Sequence, residues 1–376
     1  MNFDFSCEQE QFREQLRRFL QKADGLGQAR CVIDNKLQNC SALIWHGLAE
    51  LGVPAIAIPE EHGGIGLGAL ELCVAAEELG RALAPVPFLS SICVCAEAIR
   101  LFGSERQRAK WLPGLASGAI IGTFAFADDT ADDARFLSGT LAGAKAPVLD
   151  GMLASLSVVL AKDAAGASLL TLCNLTETRV ARQPIKTVDP TRPAARVIFD
   201  GAPAELLPQA AGDSWHKLRD RAAVFLAFEQ LGSAESSLAM ARTYAQERGA
   251  FGRKVSSFQS IKHKLADMYT KIQLARCHCY YGAWAISTDA AEMPVAAAAA
   301  RCSAIDALDF AAQESIQVHG GIGVTWESNC HLFYRRARLY ALLLGSRYEW
   351  QDRLVASLER KLVSHEAASE ACEPLR

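Results

Sequence analysis

Apolar residues recur at helical spacing through the first hundred positions. Phe12, Leu16, Phe19 and Leu20 share one face of a helix predicted over Glu8–Gln21. A second amphipathic stretch covers Ser41–Leu51. Further helices are predicted over Leu70–Leu83, stopping at the Ala84–Pro85 step, then over Ser91–Leu101 and Glu105–Leu112. The intervening Pro59–Gly68 (PEEHGGIGLG) holds four glycines in ten residues and reads as a loop. From about Gly118 to Leu207 the pattern changes. Short, partly β-branched runs at Ile120–Ala127, Ser157–Ala161, Leu169–Leu172 and Ala195–Phe199 are separated by Gly, Pro, Asp and Asn. Helical spacing resumes at Ser214, over Leu218–Arg248, Phe258–Thr288, Val295–Val318 and Asn329–Leu344. Gly232 is the one glycine inside the first of these, and the tail from Ser364 is expected to fray.

Proline placement supports the same division. Six of the thirteen prolines fall between Pro147 and Pro208, whereas Pro294 is the only one between Gln209 and Glu373. A proline inside a helix costs about 3 kcal/mol, so long helices fit the C-terminal part and not the middle. The chain therefore reads as α+β: an N-terminal helical domain (1–117), a small middle β domain (118–208) and a C-terminal domain built as a four-helix bundle (209–376).

Composition narrows the function. Of 376 residues, 50% are hydrophobic and the net charge is −3, which argues against disorder and against general nucleic-acid binding. The first twenty residues mix acids with apolar groups, unlike a signal or transit peptide, and no apolar run is long enough to span a membrane. A cytoplasmic protein is expected. The twelve cysteines are scattered without a CxxC. The close pairs Cys93/Cys95 and Cys277/Cys279 would point about 200° apart on a helix. Buried free thiols are expected, and no metal site.

Three glycine-bearing segments carry the candidate chemistry: PEEHGGIGLG, then Arg248–Gln259 (RGAFGRKVSSFQ), then Gln317–Gly323 (QVHGGIG). No strand precedes the glycines, so neither of the latter two is a Rossmann fingerprint. In this order, within an α–β–α chain, they resemble the acyl-CoA dehydrogenase family of flavoproteins. That resemblance implies FAD, with its ring against the β domain and its adenosine diphosphate end held by helices of a neighbouring subunit. It implies Arg248 on the pyrophosphate, Phe251 and Gln259 beside the adenosine half, and Gln317 and Gly321 on the dinucleotide backbone. An arginine fork and a glycine pair with approachable N–H groups suit that task. The implied reaction is α,β-dehydrogenation of an acyl-CoA thioester, in which a carboxylate takes the α-proton.

Departures from the family pattern fall on the chemical side. The usual base position is Leu344, and the position that some relatives use instead is Ala222. Glu229, seven residues further on the same helical face, and Asp220 are the remaining candidate bases. Phe126-Ala127-Asp128-Asp129 replaces the family's Thr-Glu-Pro, and Pro147-Val148-Leu149 replaces the Trp-Ile-Thr that lies on the flavin ring. Loss of the base and ring contacts, with the nucleotide contacts kept, implies a subunit paired with an unlike homologue. The sterol-type heterotetrameric dehydrogenases resemble this arrangement, as a dimer of heterodimers. The alternatives are a homo-oligomeric dehydrogenase with a displaced base, a flavoprotein oxidase or monooxygenase, and a silent scaffold.

Overall fold

A computed structural model describes residues 5–38, 40–128, 133–210 and 212–370. The N-terminal region carries helices α1 (Cys7–Lys22), α2 (Gly25–Ile33), α3 (Ala42–Glu50), α4 (Ala69–Arg81), α5 (Glu97–Phe102) and α6 (Glu105–Ala116). Ser6 and Gln9 form a reciprocal capping box at the start of α1, and Ser104 and Gln107 form another on α6. Two features differ from the periodicity. Helix α6 continues through Pro113, and Leu89–Ala96, every residue buried, winds as a π-helix running into α5.

The middle region is a curled sheet of β1 (Gly122–Ala125), β2 (Arg135–Leu137), β3 (Thr140–Leu149), β4 (Leu156–Lys162), β5 (Ser168–Asn174), β6 (Val180–Ile185) and β7 (Ala194–Leu206). The order β1-β4-β2-β3-β7-β5, with β5 also pairing β4, closes five strands into a small barrel. Leu141, Val148, Val159, Val197 and Phe199 fill it. Sequence pattern does not find β3, because TLAGAKAPVL has small residues and a proline where alternating β-branched side chains would be expected.

The C-terminal region is a bundle of α7 (Ser214–Glu247), α8 (Gln259–Ser287), α9 (Met293–His319) and α11 (Arg347–Glu370), with the shorter α10 (Cys330–Tyr340) beside it. A two-residue hairpin of β8 (Gly249–Ala250) and β9 (Arg253–Lys254) joins α7 to α8. Helix α11 is absent from the periodicity reading. It is anchored by Trp350, buried with Ala223 and Ala298, and its backbone stays helical past Ser364. Cys372 lies outside the described residues.

Helix α4 crosses α7 at backbone contact. A Cβ added to Gly80 would stand 1.9 Å from the Glu229 carbonyl oxygen, and one added to Gly232 would stand 1.9 Å from that of Glu77. The same crossing is laced by charge. Glu77 and Glu78, both buried, take guanidinium partners from Arg13 and Arg17 on α1, Arg81 on α4 and Arg276 on α8.

Candidate functional site

The residues singled out in the glycine segments meet at one end of the bundle. Helices α7 and α9 finish side by side, with the Tyr244 and His319 rings stacked at 4.2 Å between centroids. Beyond Tyr244 the chain turns through the hairpin, whose central residues Phe251 and Gly252 both have positive φ (51° and 78°). That is the geometry of a type I′ turn, normally filled by Asn and Gly. A phenylalanine there is strained, and it is also 94% exposed. Its ring touches Phe258, over which the Arg253 guanidinium stacks at 4.0 Å. Arg248, Gln259, Gln317 and Gly321 are likewise exposed. The Arg248 amide caps α7 by donating to Tyr244 O.

Past His319 the chain winds as a single 3-10 turn, Gly320–Val324. A Cβ on Gly320 or Gly321 would meet no atom within 4 Å, so a ligand can approach the backbone closely there, while the Gly320 N–H itself donates to Gln317 O. Gly323 differs: a Cβ there would lie 2.5 Å from Ile316 O, so this glycine is needed for close packing. A guanidinium fork, two primary amides, an unobstructed glycine backbone and the neighbouring Arg253 and Lys254 suit an anionic dinucleotide.

The opposite side of the sequence reading is mixed: Ala127, Asp128 and Pro147 are exposed and Phe126 is half-buried. Val148 and Leu149 are buried, and the Leu149 carbonyl accepts from the Thr123 hydroxyl. Asp128 accepts from Lys145 at 2.5 Å, whereas Asp129 lies outside the described residues. Directly after Leu149, Asp150 is buried in a left-handed conformation (φ 55°). Its carboxylate accepts from Ser90 Oγ at 2.6 Å and from Arg192 Nη2 at 2.6 Å. The buried Arg192 also donates to Tyr340 Oη at 2.6 Å and to Glu229 Oε1 at 3.3 Å. Tyr340 in turn donates to Glu229. Arg336 completes the cluster, donating to Asp189 at 2.5 Å and to Thr191 at 2.7 Å, with Glu229 at 3.5 Å. Burial raises the Tyr340 hydroxyl well above its usual pKa, so it stays a proton donor.

Glu229 is therefore held by two guanidiniums and a phenol, and it lines none of the open clefts at α1/α4/α7, α4/α5 or α7/α8. Asp220 is a bidentate partner of Arg353, at 3.0 and 2.7 Å, and ties α7 to α11. Burial lifts its pKa, opposed by that arginine. Ala222 is buried. Leu344 has φ 64°, and its carbonyl accepts from Arg219 at 2.9 Å. Behind it the buried Arg301 donates to the Tyr340 and Leu343 carbonyls, without a carboxylate among these partners. Burial lowers Arg301 to about 9. Sequence reading missed the cluster because its members come from three domains. One signal was present: Arg336 lies on the α10 face that carries Leu332, Phe333 and Tyr340.

No group of three or more His, Cys, Asp or Glu among the described residues can hold a metal ion, and no helix there is long and apolar enough to cross a membrane. Comparison with known proteins gives two family matches. Residues 6–119 match the acyl-CoA dehydrogenase N-terminal domain, and residues 220–357 match its C-terminal domain. The chain is 37% identical to the acyl-CoA dehydrogenase IpdE2 of Mycobacterium tuberculosis, over 83% of this chain and 85% of that protein. To the IpdE2 of Mycolicibacterium smegmatis it is 34% identical, over 94% and 99%. Among solved structures, a variant of the Tcur3481–Tcur3483 steroid ACAD superposes with a TM-score of 0.87 at 27% identity, covering 95% of this chain and 99% of that one. The ChsE4–ChsE5 complex from M. tuberculosis gives 0.88 at 25% identity, over 96% and 99%.

Proposed function

The chain belongs to the acyl-CoA dehydrogenase family, whose cofactor is FAD, and on that premise we propose that it is the nucleotide-holding subunit of a heteromeric FAD-dependent acyl-CoA dehydrogenase. One observation carries the reading. The surface suited to the adenosine diphosphate end is exposed, whereas the two usual base positions hold Leu344 and Ala222 and the candidate carboxylates Glu229 and Asp220 are buried against arginines.

In this reading Arg248 pairs with the pyrophosphate, the unobstructed backbone at Gly320 and Gly321 lets the dinucleotide approach closely, and Phe251, Gln259 and Gln317 flank it. Bound FAD supplies the acceptor for the β-hydride. An unlike homologous subunit supplies the ring contacts and the carboxylate that takes the α-proton. Within this chain Glu229 joins the C-terminal domain to the middle one, Asp220 ties α7 to α11, and neither moves a proton. The names of the steroid ACAD and of the ChsE4–ChsE5 complex support a steroid-type acyl-CoA substrate and a paired assembly. A reducing cytoplasm suits the free cysteines.

The test is co-expression with a homologous chain that retains the acidic base, followed by flavin counting. We expect the lone chain to hold FAD substoichiometrically and the pair to purify yellow and active. Arg248→Ala should lower flavin retention in the pair. Stoichiometric FAD with acyl-CoA turnover by the lone chain would refute the proposal.

A further inference from the structure

Residues 326–329, between the glycine turn and α10, are gripped from the other end of the sequence. Arg30, on α2, donates to Trp326 O at 2.6 Å, to Ser328 O at 2.7 Å and to Asn329 Oδ1 at 2.8 Å. A weaker contact reaches Glu327 O at 3.5 Å. One turn further along the chain, Asp34 accepts from Trp326 Nε1 at 3.0 Å. The Trp326 ring is held between the Arg30 and Arg335 guanidiniums, at 6.0 and 5.7 Å from its centroid.

Apart from this clasp the segment is held by α10, where the His331 ring stacks on Trp326 at 5.4 Å and its Nε2 lies 3.2 Å from Trp326 O. Gly320, Gly321, Ile322, Val324, Thr325, Trp326 and Glu327 are all exposed, and Gly323 is the only buried residue among 320–327. Its near end is fixed by α9: His319 Nδ1 lies 2.7 Å from Ser315 O, and Gly323 packs on Ile316 O. Its far end is fixed by Arg30. A planar fork that meets several carbonyls at once orders a loop in a way a point charge does not.

We propose that Arg30 is a positioning residue for the nucleotide surface: it pre-orders the segment containing Gly320 and Gly321, so that a bound dinucleotide does not bear the cost of ordering it. The inference rests on the reading of that surface as the grip for the adenosine diphosphate end. Arg30 itself touches no nucleotide in this scheme. Its effect is to keep residues 320–329 in one conformation before a ligand arrives.

Two readouts test it on the full-length chain, with ADP as the probe. Amide hydrogen exchange over residues 322–329 should quicken about 10-fold or more in Arg30→Ala without any ligand. ADP affinity by calorimetry should weaken about 5- to 20-fold. Arg30→Lys keeps the charge and loses the fork, so it should resemble Arg30→Ala. Asn329→Ala removes one acceptor of the clasp, leaves the arginine in place, and should give a smaller loss in the same direction. Arg17→Ala breaks a different helix contact, with Glu78, and should leave ADP affinity unchanged. Full ADP affinity in Arg30→Lys would overturn the fork argument in favour of a simple field effect. Unchanged affinity in Arg30→Ala, with Arg248→Ala weakened, would overturn the inference and leave the proposed function standing. No ADP binding by the wild-type chain, alone or with its partner, would remove both.

Discussion

The buried cluster at Glu229 makes the proposal of borrowed chemistry quantitative. Asp150, Asp189 and Glu229 carry three negative charges against the two positive charges of Arg192 and Arg336, which leaves one in excess. Glu229→Gln removes that excess while keeping an amide oxygen where Oε1 accepts from Tyr340 and Arg192. Two of its three contacts, at 3.3 and 3.5 Å, are already long, so the stability change should stay within about 1 kcal/mol. Arg192→Met is the severe counterpart. It strips Asp150 of its cation and takes a donor from Glu229 and Tyr340, all of them buried. Breaking a buried pair from one side costs about 3–5 kcal/mol. By differential scanning fluorimetry, Arg192→Met should lower the first transition by about 5–10 °C and Glu229→Gln by less than about 2 °C. Steady-state turnover of the assembled enzyme should fall less than about threefold in Glu229→Gln, because the carboxylate here is mortar between domains. A general base removed this way costs about 100-fold or more. A loss of that size with flavin content and melting unchanged would make Glu229 the base and refute the reasoning.

Other perturbations read different parts of the structure. Burial opposes ionisation of Glu97, but Arg221 and Arg100 outweigh it and hold the carboxyl at about 2, against 4.5 for the free group. A depressed folded-state pKa stabilises above the unfolded value, so roughly 3 kcal/mol should be present above pH about 4.5 and disappear as pH falls towards 2. Acid titration of unfolding in Glu97→Gln should start lower at pH 7 and show a flatter limb between pH 5 and 2. Gly232→Ala would drive its methyl into Glu77 O, backbone against backbone, and should cost about 3 kcal/mol or more by urea denaturation. Phe251→Asn should do the reverse for the isolated chain. It relieves a left-handed phenylalanine and should raise stability by about 0.5–1 kcal/mol, while flavin retention in the assembled pair falls.

Chain pattern carried the helices, and for a physical reason. Residues such as Leu16 and Leu20 on α1 bury one face against a neighbour, and that face appears locally as a repeat. Helix α7 hid its neighbours better. It is buried nearly all round from Asp220 to Ala234, so its periodicity says little about what packs where, and the lone Gly232 in it marks the close crossing with α4. The barrel was half legible. β4 and β5 are Val- and Leu-rich, whereas β3 depends on small residues that let strands and loops approach: Gly143 lies where a Cβ would stand 2.5 Å from Asp133 O. Such a strand is specified by its partners rather than by its own side chains.

The glycine segments and the buried cluster were unequally legible in the same way. Arg248, Phe251, Gln259, Gln317 and Gly321 sit in short continuous segments, so residue order alone placed them together. The cluster joins Ser90, Asp150, Asp189, Arg192, Glu229, Arg336 and Tyr340, spread over some 250 residues and three domains, and no local pattern links them. Two arginines, three carboxylates and a phenol join the three domains there, at a desolvation cost that the pairing offsets. Removing either arginine strands a buried carboxylate, whereas neutralising Glu229 leaves Arg192 with Asp150 and Arg336 with Asp189.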